Sequence, residues 1–169
     1  HHPDLLSNNI KCIDSENYLN QLNNLFDKLE QEYNKEVIIC AHPRSSYDSN
    51  AFRGRKIVLN QTNEYVRDAY LTIMHVSSAF AFSLLYKKPM LFISSNDIQV
   101  MLPNIHRLTI NYANYFNSPY LDLDNIPSKM ENIINVNSKL YDDFIEKYLK
   151  SSSKKQILNK DKFKNYVEN

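Results

Sequence analysis

Apolar positions along the chain change period several times, and each change marks an element. Leu19, Leu22, Leu25, Phe26, Leu29 and Tyr33 recur at spacings of three and four. That spacing predicts an amphipathic helix opening at an Asp14 or Ser15 cap and ending near Asn34. Val37 to Ala41 follows as an apolar run without alternation, which is how a strand covered on both faces reads. It stops at His42-Pro43, because proline has no N–H for a ladder and pushes the residue before it toward an extended backbone. Lys56 to Leu59, Tyr70 to Met74 and Met90 to Ile93 predict three more strands, separated by helices over Thr62 to Ala69 and Ser78 to Lys87.

This order argues for an α/β fold with a parallel sheet whose strands are joined by right-handed crossovers. The segment His75 to Pro89 is its centre, since it joins two buried runs through a helix too short and too apolar to lie anywhere but against the sheet. Beyond Ser95 the spacing is helical through Ile98, Val100, Met101, Leu102, Ile105, Leu108 and Ile110, with Pro103 bending or restarting the helix. Tyr112 to Leu123 is aromatic and irregular, with room for one short edge strand. A longer helical segment is expected from Ile126 to Tyr148, broken near Asn135 to Asn137. The divisions are an N-terminal extension over 1–14, one domain over 15–150 and a lysine-rich tail over 151–169.

Composition narrows the function. A net charge of +1 gives no global field for nucleic acid, so any basic site must be local. Cys12 and Cys40 stand far apart, with Cys40 inside a strand, which suggests a reducing compartment rather than a disulfide framework. Apolar stretches fall short of the roughly 18 residues that span a bilayer, and no signal-peptide pattern opens the chain, so a cytoplasmic protein is expected. The single glycine, Gly54, excludes the glycine-rich phosphate loops of dinucleotide and P-loop sites.

In an open parallel sheet, ligands bind outside the carboxyl ends of the strands, where strand order reverses. His42-Pro43-Arg44 and His75-Val76-Ser77-Ser78 are both strand ends of that kind and should face one crevice. Two imidazoles, a guanidinium and two hydroxyls would surround one pocket, with Ser77 and Ser78 at the start of a helix whose N–H groups and dipole attract an anion. The ordinary alternatives are that a serine only caps the helix and that His75 is a buried ring satisfied by carbonyls. Arg44 could pair with phosphate or hold its own loop, whereas Arg53 and Arg55 read as loop anchors, through Asp48 and its neighbours. No carboxylate dyad, metal-ligand set or nucleophile elbow stands at a strand end, so phosphate recognition without a metal or cofactor is expected.

Cys-Ala-His-Pro-Arg-Ser-Ser-Tyr at 40–47, Phe52-Arg53-Gly54-Arg55, Thr62, and the run from His75 through Ser77-Ser78 to Lys87-Lys88-Pro89 together carry a resemblance. They resemble the nucleotide-binding half of bacterial surface-polysaccharide glycosyltransferases of the GT-B type, with sialyltransferases and polysialyltransferases that bear an HP motif and a later Ser-Ser or Ser-Thr motif as the nearest comparison. The resemblance spans about Glu36 to Ile93. It implies a single Rossmann-like three-layer domain forming one half of a GT-B fold. It also implies that His42 and Pro43 line the nucleotide site, with His42 catalytic, and that Ser77 and Ser78 hold the phosphate. Arg44 and His75 join by neighbourhood. The implied activity is metal-independent, inverting transfer from a CMP- or UDP-sugar in capsule or lipopolysaccharide synthesis. The implied partners are a glycan or lipid-linked acceptor and an N-terminal Rossmann-like domain, with peripheral attachment at the inner face of the membrane. A non-catalytic assembly module on the same fold, using Tyr112 to Tyr120 as its surface, is the alternative.

Overall fold

A computed structural model describes residues 15–48 and 50–150, and it is an α/β structure with short parallel strands between helices. Helix α1 spans Ser15–Tyr33, β1 Ile39–Ala41, β2 Ile57–Leu59, α2 Thr62–Asp68, β3 Thr72–Met74, α3 Phe80–Leu85 and β4 Met90–Ser94. Helices α4 (Asn96–Met101) and α5 (Pro103–Phe116), strand β5 (Tyr120–Asp122), helix α6 (Ser138–Phe144) and a π-helical turn (Ile145–Leu149) complete the order. The expected extension and tail, and Asp14 as a cap, lie outside the described residues.

The strands form two parallel groups rather than the single sheet expected. β1 pairs with β2 in the register Ile39↔Ile57, and β3, β4 and β5 follow one another with Thr72↔Met90 and Phe92↔Tyr120. β1 and β2 are also less covered than their apolar sequences suggest, since Cys40 and Leu59 are exposed. Every residue of β4, by contrast, is buried. Its side chains alternate between two cores. Leu91 and Ile93 enter the cluster built on Leu22, Leu25, Phe26 and Leu29 of α1, while Met90 and Phe92 enter the one built on Leu84, Ala113, Phe116 and Tyr141. Helix α1 therefore covers one face of the three-stranded sheet, and α3, α5 and α6 cover the other.

The crossover helices end by the same device. Lys87 and Asn117 adopt left-handed backbone at φ 53° and 50°. The N–H of Lys88 then reaches Ser83 O at 2.8 Å, and that of Ser118 reaches Ala113 O at 2.8 Å. These are Schellman closures, which satisfy carbonyls left over at a helix end. Pro89 and Pro119 follow and turn the chain into β4 and β5. Lys87 pairs with Asp142 of α6, which anchors a side chain at a backbone position that usually takes glycine.

Two expectations are corrected in the C-terminal half. Tyr112 to Phe116 is helical rather than irregular, and Phe116 is fully buried against the rings of Phe80, Tyr112, Tyr115, Tyr141 and Phe144. Aromatic spacing of three and four here reports a core face at Tyr112 and Phe116, while Tyr115 and Tyr120 remain exposed. The helix expected from Ile126 forms only from Ser138, because Ile126, Met130, Ile133 and Ile134 pack on the α1 core as an irregular segment. Tyr33 Oη donates to Met130 O at 2.7 Å, and the Met130 N–H donates to Glu32 at 2.9 Å, which ties that segment to α1. Phe116→Ala should cost about 3–5 kcal/mol of stability, as large-to-small changes at a fully buried aromatic do. Urea unfolding followed by circular dichroism would measure it.

Candidate functional site

A cleft of about 1680 Å³ separates the two sheets, with β1 on one side and β3 on the other. Its carboxyl-end mouth is built by the chain leaving those two strands. After β1 the chain turns at once: the Ser45 N–H donates to His42 O at 2.8 Å, with Pro43 at the second turn position, where its fixed φ fits. The Arg44 N–H donates to His42 Nδ1 at 3.1 Å. A neutral ring that accepts at Nδ1 carries its proton on Nε2, so His42 is set as an N–H donor.

After β3 the chain passes through His75 to Ser77. Ser77 Oγ accepts from the Ala79 N–H at 3.2 Å, and Phe80, Ala81 and Phe82 donate to Ser77, Ser78 and Ala79 through i→i+3 bonds of 3.0 to 3.2 Å. These tight bonds delay the α-helix to Phe80, two residues later than expected, and leave α3 only six residues long. The helix-end attraction expected at Ser78 is correspondingly weak, and Ser77 closes the turn before α3 rather than capping it, since Ala79 is the N-cap and no side chain caps the helix. A hydroxyl that accepts one bond still has its own proton to donate.

Of the six candidate residues, His42, His75 and Ser77 line the cleft, whereas Pro43, Arg44 and Ser78 lie outside its lining. His75 is engaged within the protein through both ring nitrogens. Nδ1 donates to the Ile93 carbonyl at 2.7 Å, and Nε2 accepts from the Tyr18 hydroxyl on the first turn of α1. Burial pushes its pKa down to about 4, against the opposing pull of the Ile93 bond. Burial, with Tyr47 nearby, raises the Tyr18 hydroxyl well above its usual range, so it remains a donor. The pair joins α1 to the end of β3 and fixes one wall of the mouth.

Arg53 and Arg55 are anchors, but to α1 rather than to Asp48. The Arg55 guanidinium is 7% exposed, bonds Glu30 at 2.6 Å and Asn23 at 3.1 Å, pairs with Asp27, and lies 5.6 Å from the Phe26 ring centroid. Arg53 adds Asp27 and Asn24. Hydrogen bonding to Arg55 is the largest influence on Asp27 and holds its carboxyl below the usual range. At Glu30 burial opposes the shift, but Arg55 and the Val37 N–H outweigh it. Sequence spacing could not show this, since the acids lie on the polar flank of the helix and their partners come from a distant loop.

A second polar group also escaped sequence reasoning. Ser94 Oγ, at the end of β4, is 2.9 Å from His106 Nδ1 and also bonds Tyr120. Ser94 is fully buried, so this is a closure of the strand end rather than a nucleophile. Among the described residues, no group of three His, Cys, Asp or Glu side chains converges as metal ligands would. Compared with protein-family models, curated proteins and solved structures, the chain matches none.

Two expectations follow. Arg55→Ala should lower stability by roughly 2 kcal/mol through the loss of charge-assisted bonds. Because the Asp27 and Glu30 pKa values are depressed on folding, the network stabilises above the unfolded carboxylate pKa and fades as pH falls through the folded values. Urea midpoints at pH 7 and pH 3 should therefore differ less in the variant. For His75, the folded pKa lies below the unfolded one, so stability is full above about pH 6.5 and declines as pH falls toward 4. His75→Asn should flatten that limb, and the His75 ring resonances should not titrate between pH 8 and 5.5.

Proposed function

We propose that this chain is the donor-binding part of a bacterial surface-polysaccharide glycosyltransferase that uses a CMP- or UDP-sugar. One observation supports the reading above the others: His42 and Ser77, from the two motifs of the resemblance, follow β1 and β3 and line one cleft. The phosphate of the donor would sit at that mouth, with His42 Nε2–H and Ser77 O–H donating to it. The acceptor hydroxyl attacks the anomeric carbon as the bond from sugar to nucleotide breaks, which inverts that centre. Negative charge grows on the departing phosphate, and donors already fixed by the Pro43 turn and the Ser77 turn stabilise it without reorganising. His42 is the catalytic residue in this scheme, and His75 positions the wall through Tyr18 and Ile93. The acceptor and the general base come from outside the described residues.

NMR titration with CMP, CDP, UMP and UDP, with and without magnesium, tests the reading. Shifts at His42 and Ser77 are expected near millimolar concentration, equivalent to about −4 to −6 kcal/mol, and should not need the metal. His42→Ala and Ser77→Ala should each weaken binding by roughly 1.5 to 3 kcal/mol, and Ser78→Ala by much less. No shift at either residue with any of the four nucleotides would remove the donor-binding reading.

A further inference from the structure

Among the described residues, the cleft between the sheets has the lining and the edge chemistry of a strand position. β1 uses one edge for β2, and β3 uses one edge for β4. The Ile39 N–H donates to Lys56 O and the Thr72 N–H to Pro89 O, both at 2.9 Å, so these residues face their own partners. Backbone groups alternate sides along a parallel strand. Cys40 in β1 and Ile73 in β3 therefore turn their N–H and C=O groups the other way, toward the cleft they both line. Leu22, Phe26 and Leu29 of α1 and Val66 of α2 line it as well. Among the described residues, neither of these two edges has a strand partner, and both line the cleft between apolar helices.

The edges also point the same way. At one end of the cleft stand His42 and Ser77, which follow β1 and β3, and Tyr18 of α1 reaches His75 there. At the other end, Tyr33 and Lys35 approach the Tyr70 ring, with centroid distances of 5.9 and 5.8 Å. Helix α1 therefore runs the length of the strands in the opposite direction, as a crossover helix does.

Handedness then fixes where the strand before α1 must lie. Helices α3 and α5 carry the chain from β3 to β4 to β5, moving away from β1 on one face. Helix α1 packs on the other face, against Leu91 and Ile93. Crossovers on opposite faces share a hand only if they move in opposite directions, and nearly all are right-handed. A strand feeding α1 must then enter β1 from the β3 side, which is the cleft.

We propose that the cleft between β1 and β3 receives a further parallel strand, an apolar extended segment of the same polypeptide that leads into α1. It would merge the two sheets into one, in the order β2, β1, inserted strand, β3, β4, β5. The segment has the character of β4, five residues covered on both faces. Residues 1–14 contain no uninterrupted apolar run of five, so we assign the strand to polypeptide that would precede them. Only the carboxyl mouth then remains open to a ligand.

Amide exchange by NMR tests this on the full 169-residue chain and on two extended chains. One carries Met-Leu-Phe-Ile-Ser ahead of His1, and the other carries Ser-Asn-Asp-Asn-Ser. In the unextended chain, the Cys40 and Ile73 amides should exchange faster than those of Ile39 and Thr72. The apolar extension should slow both by about 100-fold and raise Tm, and the polar one should do neither. Ile73→Pro, which removes an N–H directed only at the cleft, should leave the unextended chain folded and abolish the gain. Equal exchange at Cys40 and Ile73 in all chains would overturn the proposal. Protection already present in the unextended chain would also overturn it, by direct pairing of β1 with β3, or by a second copy if it grows with concentration. Nucleotide shifts at His42 and Ser77 are a separate readout, so failure here leaves the donor reading standing, and the reverse.

Discussion

Burial of β4 on both faces is the constraint on which the rest of the structure depends. Met90, Leu91, Phe92 and Ile93 are each at most 3% exposed, and burying such side chains stabilises by about 1.5–3 kcal/mol apiece. Because they alternate, the strand is fully buried only when both helical layers are in place. Helix α1 must dock for Leu91 and Ile93 to be dry, and α3, α5 and α6 must dock for Met90 and Phe92. The strand is thus the shared wall of two cores rather than the floor of one.

The candidate site inherits its rigidity from that wall. Ile93 supplies the carbonyl that holds His75, and His75 holds Tyr18, so the α1 core, the end of β3 and the cleft mouth are linked through three residues. On the other side Arg55 fastens the chain after β1 to the polar flank of α1. Helix α1 therefore braces both walls of the mouth, one through a neutral hydrogen-bonded pair and the other through charged pairs. A change in pH acts on these braces differently, since the first resists protonation and the second depends on carboxylates remaining ionised.

Much of this was legible in the residues. The α1 face, the uniform run at Met90, the restart at Pro103 and the parallel α/β order all follow from periodicity and proline placement. What the residues do not carry is the partner across space. The runs at Ile39 and Ile57 read as fully covered strands, and they are apolar enough to be so, yet Cys40 and Leu59 are exposed. The mismatch is itself informative, because such a sequence suits a strand with neighbours on both edges. The pairings of Tyr18 with His75 and of Arg55 with Glu30 join residues 57 and 25 apart, and nothing local marks them. Aromatic spacing between Tyr112 and Phe116 was visible, but spacing does not say which side of a helix meets protein.

The tight turns have a consequence for the unfolded chain. Left-handed backbone occurs at Asn34, Arg53, Asn60, Lys87, Asn117 and Asn132, with Gly54 the one glycine among them. Asparagine tolerates this region through local hydrogen bonding, while keeping a side chain that narrows its freedom elsewhere. Replacing glycine by a residue with a side chain, where the fold permits it, stabilises by about 0.4–1 kcal/mol, because the denatured ensemble has fewer states to lose. A chain with almost no glycine therefore begins folding from a stiffer coil, and its connections surrender less entropy on ordering than their lengths suggest.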